Sequence, residues 1–263
     1  MVNARADDIP EIAIEVIDLT KRFGDVAAVR GISLRVLHGI VFGLVGPNGA
    51  GKSTTVKMLT TLTPPTSGSA RVAGFDVRRS PVEVRRRIGY VPQMQSADPD
   101  LTGFENLLVY ARLYALPRRN RRQRILDALH LMDLDDARDR LARHYSGGMV
   151  RRLEVAQSLL NEPHVLFMDE PTIGLDPLAR HMVWERIKHL RGELGTTIFM
   201  TTHYMDEAAE LCDRVAFMSG GRVAGEETPS EIEEKYGAGT TLDDLFIRYT
   251  GGNVAIEETA AAP

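Results

Sequence analysis

The stretch GPNGAGKST, Gly46 to Thr54, follows the apolar run GIVFGLV and leads into a helical pattern. This is the strand–GxxxxGK[ST]–helix arrangement of a phosphate-binding loop. Its glycines let consecutive N–H groups form a nest around a β-phosphate. Lys52 can reach β- and γ-phosphate oxygens, and the Ser53 hydroxyl can ligate Mg²⁺. Gly46, Pro47, Asn48, Gly49, Ala50, Gly51, Lys52, Ser53 and Thr54 are therefore the expected nucleotide-binding residues. Motif, strand and helix agree, which favours this reading over a glycine-rich turn that only connects two elements.

A phosphate loop needs a carboxylate on a neighbouring strand to serve the metal. HVLFMDE delivers Asp169 and Glu170 at the end of an apolar strand, the edge of a parallel sheet where ligands bind. Asp169 is assigned to Mg²⁺, together with Ser53, and Glu170 to polarising the attacking water as general base. Alone, the pair would read equally as a solvated strand end. Gln93 closes IGYVPQ and His203 closes GTTIFMTTH in the same way. An amide at Gln93 could ligate Mg²⁺ and order the water, and an imidazole at His203 could hydrogen-bond a γ-phosphate and respond to its loss. The chain has seven histidines, and only its place at a strand end singles out His203.

A second anion-friendly feature is HYSGGMVRRLEVAQ, His144 to Gln157. Ser146 is a good N-cap, and a glycine pair at a helix start lets N–H groups approach an anion without side chains in the way. One ATP has one γ-phosphate, and the first loop already surrounds it. The economical arrangement sends Ser146, Gly147 and Gly148 to the ATP of a second copy. Two chains, head to tail with twofold symmetry, would then sandwich two nucleotides.

The elements that must position these residues read as an α/β protein. IAIEVIDL and GISLRVLHG alternate as strands, with TKRFGDVAAV looping between them, and GIVFGLV is a buried strand. Short strands, including RRIGYVP, follow the first helix. From Leu101 to Leu160 the pattern is helical. Strand–helix alternation returns with HVLFMD and GTTIFMTTH, implying a parallel sheet interrupted by a helical block. RVAFMSGGRVAG reads as a hairpin turning on Gly220 and Gly221, and TTLDDLFIRYTGG as a terminal helix. At 263 residues, 43% hydrophobic and 26% charged, the chain fits one large domain or two small ones. Its net charge of −4 gives no reason to expect nucleic acid. The single cysteine, Cys212, cannot form an internal disulfide and reads as structural. The N-terminus is not a secretory signal, and no segment approaches the roughly 18–20 apolar residues of a membrane-spanning helix.

Taken in order, GPNGAGKST, YVPQ, YSGGM, VLFMDE, GLD and TTH closely resemble the motifs of the ATP-binding cassette ATPases, the motor subunits of ABC transporters. The resemblance runs roughly from Ile12 to Gly225. It implies a RecA-like P-loop NTPase core with a mostly parallel sheet, an N-terminal antiparallel β subdomain and an inserted α-helical subdomain. It implies a tail at 1–11 and a single domain over 12–250, with core 12–93 and 162–225, helical subdomain 94–161 and C-terminal extension 226–250. A frayed tail at 251–263 completes the division. By the same resemblance Ser146, Gly147 and Gly148 are the signature that closes on a partner's ATP, and Asp176 links the two sites. Phe23 occupies the place of an aromatic that stacks on adenine. Tyr145 and Met149 depart from the usual Leu-Ser-Gly-Gly-Gln, and Phe23 stands for the commoner tyrosine. The glycines, the serine and the π face are kept.

YSGGM before RRLEVAQSLL, with PTIGLDP and the closing TLDDLFIRYTG, looks most like the daunorubicin-resistance and ABC-2 exporter branch. The expected activity is Mg²⁺-dependent ATP hydrolysis. The expected partners are a second cassette, in a homodimer or a heterodimer, and a separate permease of ABC-2 type. The expected location is the cytoplasmic face of the membrane. The alternatives are a soluble cassette ATPase without transport, disfavoured by a helical block too short for a coiled-coil insertion, and a module without turnover, disfavoured by Glu170. A permease helix would dock beside Ala97 to Tyr110, with Phe104 and Leu107 as apolar contacts and Glu105 as a polar one, unless Phe104 and Leu107 fill the block's own core. The basic run PRRNRRQR reads either as a lipid-facing surface or as a solvated helix edge.

Overall fold

Alternating apolar residues from Ile12 onward build β1 (Ile12–Phe23) and β2 (Val26–Leu37), an antiparallel pair in the computed structural model, which describes residues 11–251. The segment Thr20–Val29, expected as a loop, is mostly ladder: Lys21 pairs with Val29 and Phe23 with Val26 across a tight turn at Gly24–Asp25. Register shifts near Leu19 and Lys21 let the pairing continue past the charged residues. The two tails read at 1–11 and 251–263 lie, but for Glu11 and Gly251, outside the described residues.

Next come β3 (Val41–Val45), α1 (Lys52–Leu59), β4 (Ser67–Val72) and β5 (Phe75–Asp76). The segment before GYV is not all strand. Pro81 at the first helical position and a Glu83–Arg87 pair four residues apart favour α2 (Pro81–Arg87), and β6 (Ile88–Val91) begins only after it. The helical block comprises α3 (Gly103–Leu113), α4 (Arg118–Leu131) and α5 (Gly147–Leu159). Thr102 and Glu105 form a capping box that starts α3. The alternating part resumes with β7 (Val165–Asp169), α6 (Pro177–Leu194), β8 (Thr197–Thr202) and α7 (Met205–Leu211). The hairpin of β9 (Arg214–Ser219) and β10 (Arg222–Glu227) turns on Gly220 and Gly221 as expected, and α8 (Ile232–Tyr236) and α9 (Leu242–Thr250) are the last helices of the described residues.

Two sheets result. A four-stranded antiparallel sheet has order β2-β1-β4-β5, and a six-stranded sheet has order β10-β9-β3-β8-β7-β6, parallel except for β10. Its central strands β3, β7 and β8 are wholly buried, as strands covered on both faces must be. Phe42, Phe167 and Phe199 pack there, with Phe42 and Phe199 stacked at 5.5 Å. Cys212 is buried and its thiol is pushed well up by that burial, in keeping with a structural role. At the C-terminal end, Lys235, Tyr236 and Tyr249 all donate to the Glu227 carboxylate, pinning α8 and α9 to β10. No helix among the described residues is long and apolar enough to cross a membrane.

Candidate nucleotide site

Parallel strands bring the chemistry to one edge. The phosphate loop leaves the C-terminal end of β3, Asp169 is the last residue of β7, and His203 follows directly on β8. Because β3 pairs with β8 and β8 with β7, the three ends lie side by side. A Cβ at Gly46 would lie 2.0 Å from the Met218 carbonyl oxygen, and one at Gly51, where φ is +108°, would lie 2.6 Å from that of Ala28. Only glycine lets the loop run this close to β9 and β2. The loop then opens α1, whose first N–H groups have no intrahelical acceptor, the arrangement that suits an anion.

Lys52 is 5% exposed and donates to the carbonyls of Gly46 at 2.7 Å and Pro47 at 3.2 Å. Its ammonium also stands 3.0 Å from the Glu170 carboxylate, which is itself 4% exposed. The other Glu170 oxygen lies 2.7 Å from Nδ1 of His203. Glu170 holds φ at +52°, a left-handed conformation rare for a side chain of its size and a local cost of order 1–3 kcal/mol. Ser53 Oγ donates to Asp169 at 3.0 Å. Hydroxyl and carboxylate are the hard oxygen donors that suit Mg²⁺, so the residues present fit the ion. Burial, with the Asp169 charge second, pushes the Tyr90 phenol up to about 12, which keeps it neutral beside the site.

Of the expected residues, Lys52, Ser53, Asp169, Glu170 and His203 come together in one hydrogen-bonded constellation. Gln93 does not join it: it is exposed, two residues beyond β6. Phe23 ends β1 and is 52% exposed, with the Lys21 ammonium 4.8 Å from its ring. It lies at the tip of the hairpin whose Ala28 abuts the phosphate loop. Ser146 caps α5 by accepting from the Met149 N–H at 3.3 Å, and Ser146 and Gly147 are exposed. Gly148 is buried, and a Cβ there would meet that of Ala179 at 3.0 Å, so this glycine also permits α5 to pack on α6. Asp176 is exposed and caps α6 through the Ala179 N–H at 2.9 Å.

Two positioning residues escaped the sequence reading. Thr201 is fully buried, donates to Asp169 Oδ1 at 2.6 Å and accepts from the Glu170 N–H at 3.1 Å. Its pairing opposite Asp169 follows from the β7–β8 register. Thr201→Val should lose about 1–3 kcal/mol of stability, about 0.5–1.5 for each of the two buried hydrogen bonds removed, while Asp169 keeps the Ser53 hydroxyl and the Glu170 N–H keeps the Thr201 carbonyl, and Thr201→Ser should retain most of it. Denaturant unfolding reads this, and an unchanged midpoint in Thr201→Val would show that neither bond matters. The second is Arg151, buried in α5, whose guanidinium donates to the carbonyls of Asp169, Glu170 and Pro171. The Trp184 indole N–H and the Thr172 hydroxyl both donate to Glu207, whose carboxyl burial pushes above its ordinary value.

Residues 29–173 match a family model described as ABC transporter. The daunorubicin/doxorubicin resistance ATP-binding protein of Streptomyces peucetius is 47% identical over 87% of this chain and 69% of its own length. The Nod factor export ATP-binding protein I of Ralstonia nicotianae is 44% identical over 85% of this chain and 68% of its own. A solved ATP-binding subunit of an ABC transporter superposes with a TM-score of 0.78 at 30% identity, covering 90% of this chain and 99% of that one. A dimeric post-hydrolysis state of an ATP-binding cassette bound to ADP and Pi gives 0.73 at 27%, covering 82% and 98%.

Proposed function

The chain belongs to the ATP-binding cassette family of transporter ATPases, and from that premise we propose that it is the ATP-hydrolysing motor subunit of an exporter. The observation that carries the proposal is the constellation at the sheet edge, where buried Lys52 and Glu170 and part-buried His203 form one linked chain and Ser53 meets Asp169 beside it. Relatives named for drug resistance and for Nod factor export favour outward transport, and the cargo would be a drug, an antibiotic or a lipid-like molecule. Activity would be Mg²⁺-dependent and seated on the cytoplasmic face of the membrane. Partners would be a second cassette and an ABC-2 type permease, and no observation favours a soluble cassette without transport.

In this reading the entering γ-phosphate draws Lys52 off Glu170, and the released carboxylate accepts a proton from the attacking water. His203 keeps that carboxylate oriented through Nδ1 and leaves Nε2 to face the phosphate. Mg²⁺, held by Ser53 and Asp169 with Gln93 joining on closure, would neutralise phosphate charge. Phe23 would stack on adenine. Ser146, Gly147 and Gly148 would complete the partner's site, with Asp176 between the two sites. The divisions at 12–93, 94–161, 162–225 and 226–250 serve as working boundaries for core, helical block and extension.

The permease contact needs revision. Leu107 is fully buried in the helical block, and Phe104 is half-buried beneath the Arg122 guanidinium, 5.4 Å from its ring. Glu105 is engaged in the cap of α3. The apolar side chains left free on α3 are Val109, 42% exposed, and Leu113, 74% exposed, one turn apart on one face. Leu113→Asp should therefore leave ATP hydrolysis by the isolated subunit unchanged while abolishing co-purification with the permease. Retained co-purification would place the contact elsewhere.

A further inference from the structure

Arg151 makes five hydrogen bonds, four of them to backbone carbonyls outside α5. Its Nε donates to the Pro171 carbonyl at 2.7 Å, and its Nη2 to those of Asp169 and Glu170, both at 3.1 Å. Its Nη1 donates to the Pro92 carbonyl at 2.6 Å and to Glu154 Oε2 at 3.0 Å. The other Glu154 oxygen accepts from both the N–H and the hydroxyl of Ser96. Arg151 is 6% exposed and Glu154 2%. One buried ion pair on one helix therefore grips the backbone of Asp169 and Glu170 themselves and of Pro171 after them. It also grips the loop carrying Gln93 at Pro92 and at Ser96.

The same helix begins at Ser146 and Gly147, about one turn before Arg151. A guanidinium is a planar fork whose donors keep fixed relative directions. A shift of Asp169–Pro171 or of residues 92–96 thus moves α5 as a body, including its exposed glycine start. We propose that Arg151, braced by Glu154, transmits the state of a chain's own nucleotide site to its own signature glycines, and through them to the nucleotide of the partner. This rests on the two-chain arrangement of the preceding subsection and adds to it the residue through which the two sites communicate. Arg151 is a positioning residue, touching neither nucleotide.

The test uses the full chain. ATP hydrolysis is measured against ATP concentration for the parent, Arg151→Met and Arg151→Lys, and ATP-dependent dimerisation is measured in the Glu170→Gln background with and without Arg151→Met. The parent should show a Hill coefficient well above one. Arg151→Met should bring it to one and lower turnover by about 5- to 150-fold, the span of a typical inter-site coupling. The ATP-bound dimer should persist, because the signature residues are intact. A merely structural role would lower stability and leave the Hill coefficient alone. A parental coefficient of one, or Arg151→Met with parental coefficient and turnover, overturns the proposal. If Arg151→Met does not fold, Arg151→Lys decides in the same direction, since it keeps the charge and loses the fork. Absence of an ATP dimer in Glu170→Gln alone would instead overturn the two-chain arrangement itself.

Discussion

Glu170→Gln should bind ATP at least as well as the parent and hydrolyse it about 10²–10⁴ times more slowly, the usual contribution of a positioned general base. The amide is isosteric and can still accept from Lys52 and bond His203, so the local geometry survives. It cannot take a proton from water. Removing the carboxylate charge also frees the Lys52 ammonium, now 3.0 Å from it, for phosphate oxygens. Phosphate release in steady state and titration with a fluorescent ATP analogue separate the two effects. Parental turnover would show that another residue activates the water.

Gly147→Asp should abolish ATP-dependent association while leaving the monomer folded. Gly147 is the first residue of α5, and a Cβ there meets only Leu175 Cδ2, at 3.2 Å, a side-chain end that can give way. A carboxylate in the first turn of a helix is mildly favourable, by about 0.3–1 kcal/mol. In the closed pair, however, it would face the partner's γ-phosphate. Two unit charges 4 Å apart repel by about 4 kcal/mol at an effective dielectric of 20, which is about a thousandfold in the association constant. Thermal unfolding of the isolated variant checks the first half and gel filtration with ATP the second. Dimers surviving unchanged would remove Ser146, Gly147 and Gly148 from the partner's site.

The phosphate-loop motif was legible because its chemistry is local: nine consecutive residues carry the glycines, the lysine and the hydroxyl that a nucleotide site with Mg²⁺ would use. Asp169, Glu170 and His203 were legible because each ends an apolar strand, and parallel strands deliver their ends to one edge. Thr201 was not, because its value lies in the register that sets it opposite Asp169. Its place in TTH, two residues before His203, was the only available signal. Arg151 was hidden more deeply. In sequence it is one of two adjacent arginines in a helix, and Arg152 beside it turns instead to Met132 and Asp133. Which arginine faces the site depends on how α5 packs against β6 and α6. The helix α2 and the long β1–β2 hairpin were missed for a different reason. TKRFGDVAAV reads as loop because its pairing partners lie across the sheet rather than along the chain, and the arginines before Ile88 read as strand because they run directly into GYV.

ATP should close two copies of this chain on each other. Sedimentation equilibrium of Glu170→Gln should give the monomer mass without nucleotide, since an interface consisting largely of loops and phosphates is incomplete without it. With ATP and Mg²⁺ the same sample should give twice that mass, and monomer mass again when Gly147→Asp is added. Monomer mass for Glu170→Gln in saturating ATP and Mg²⁺ would contradict the account.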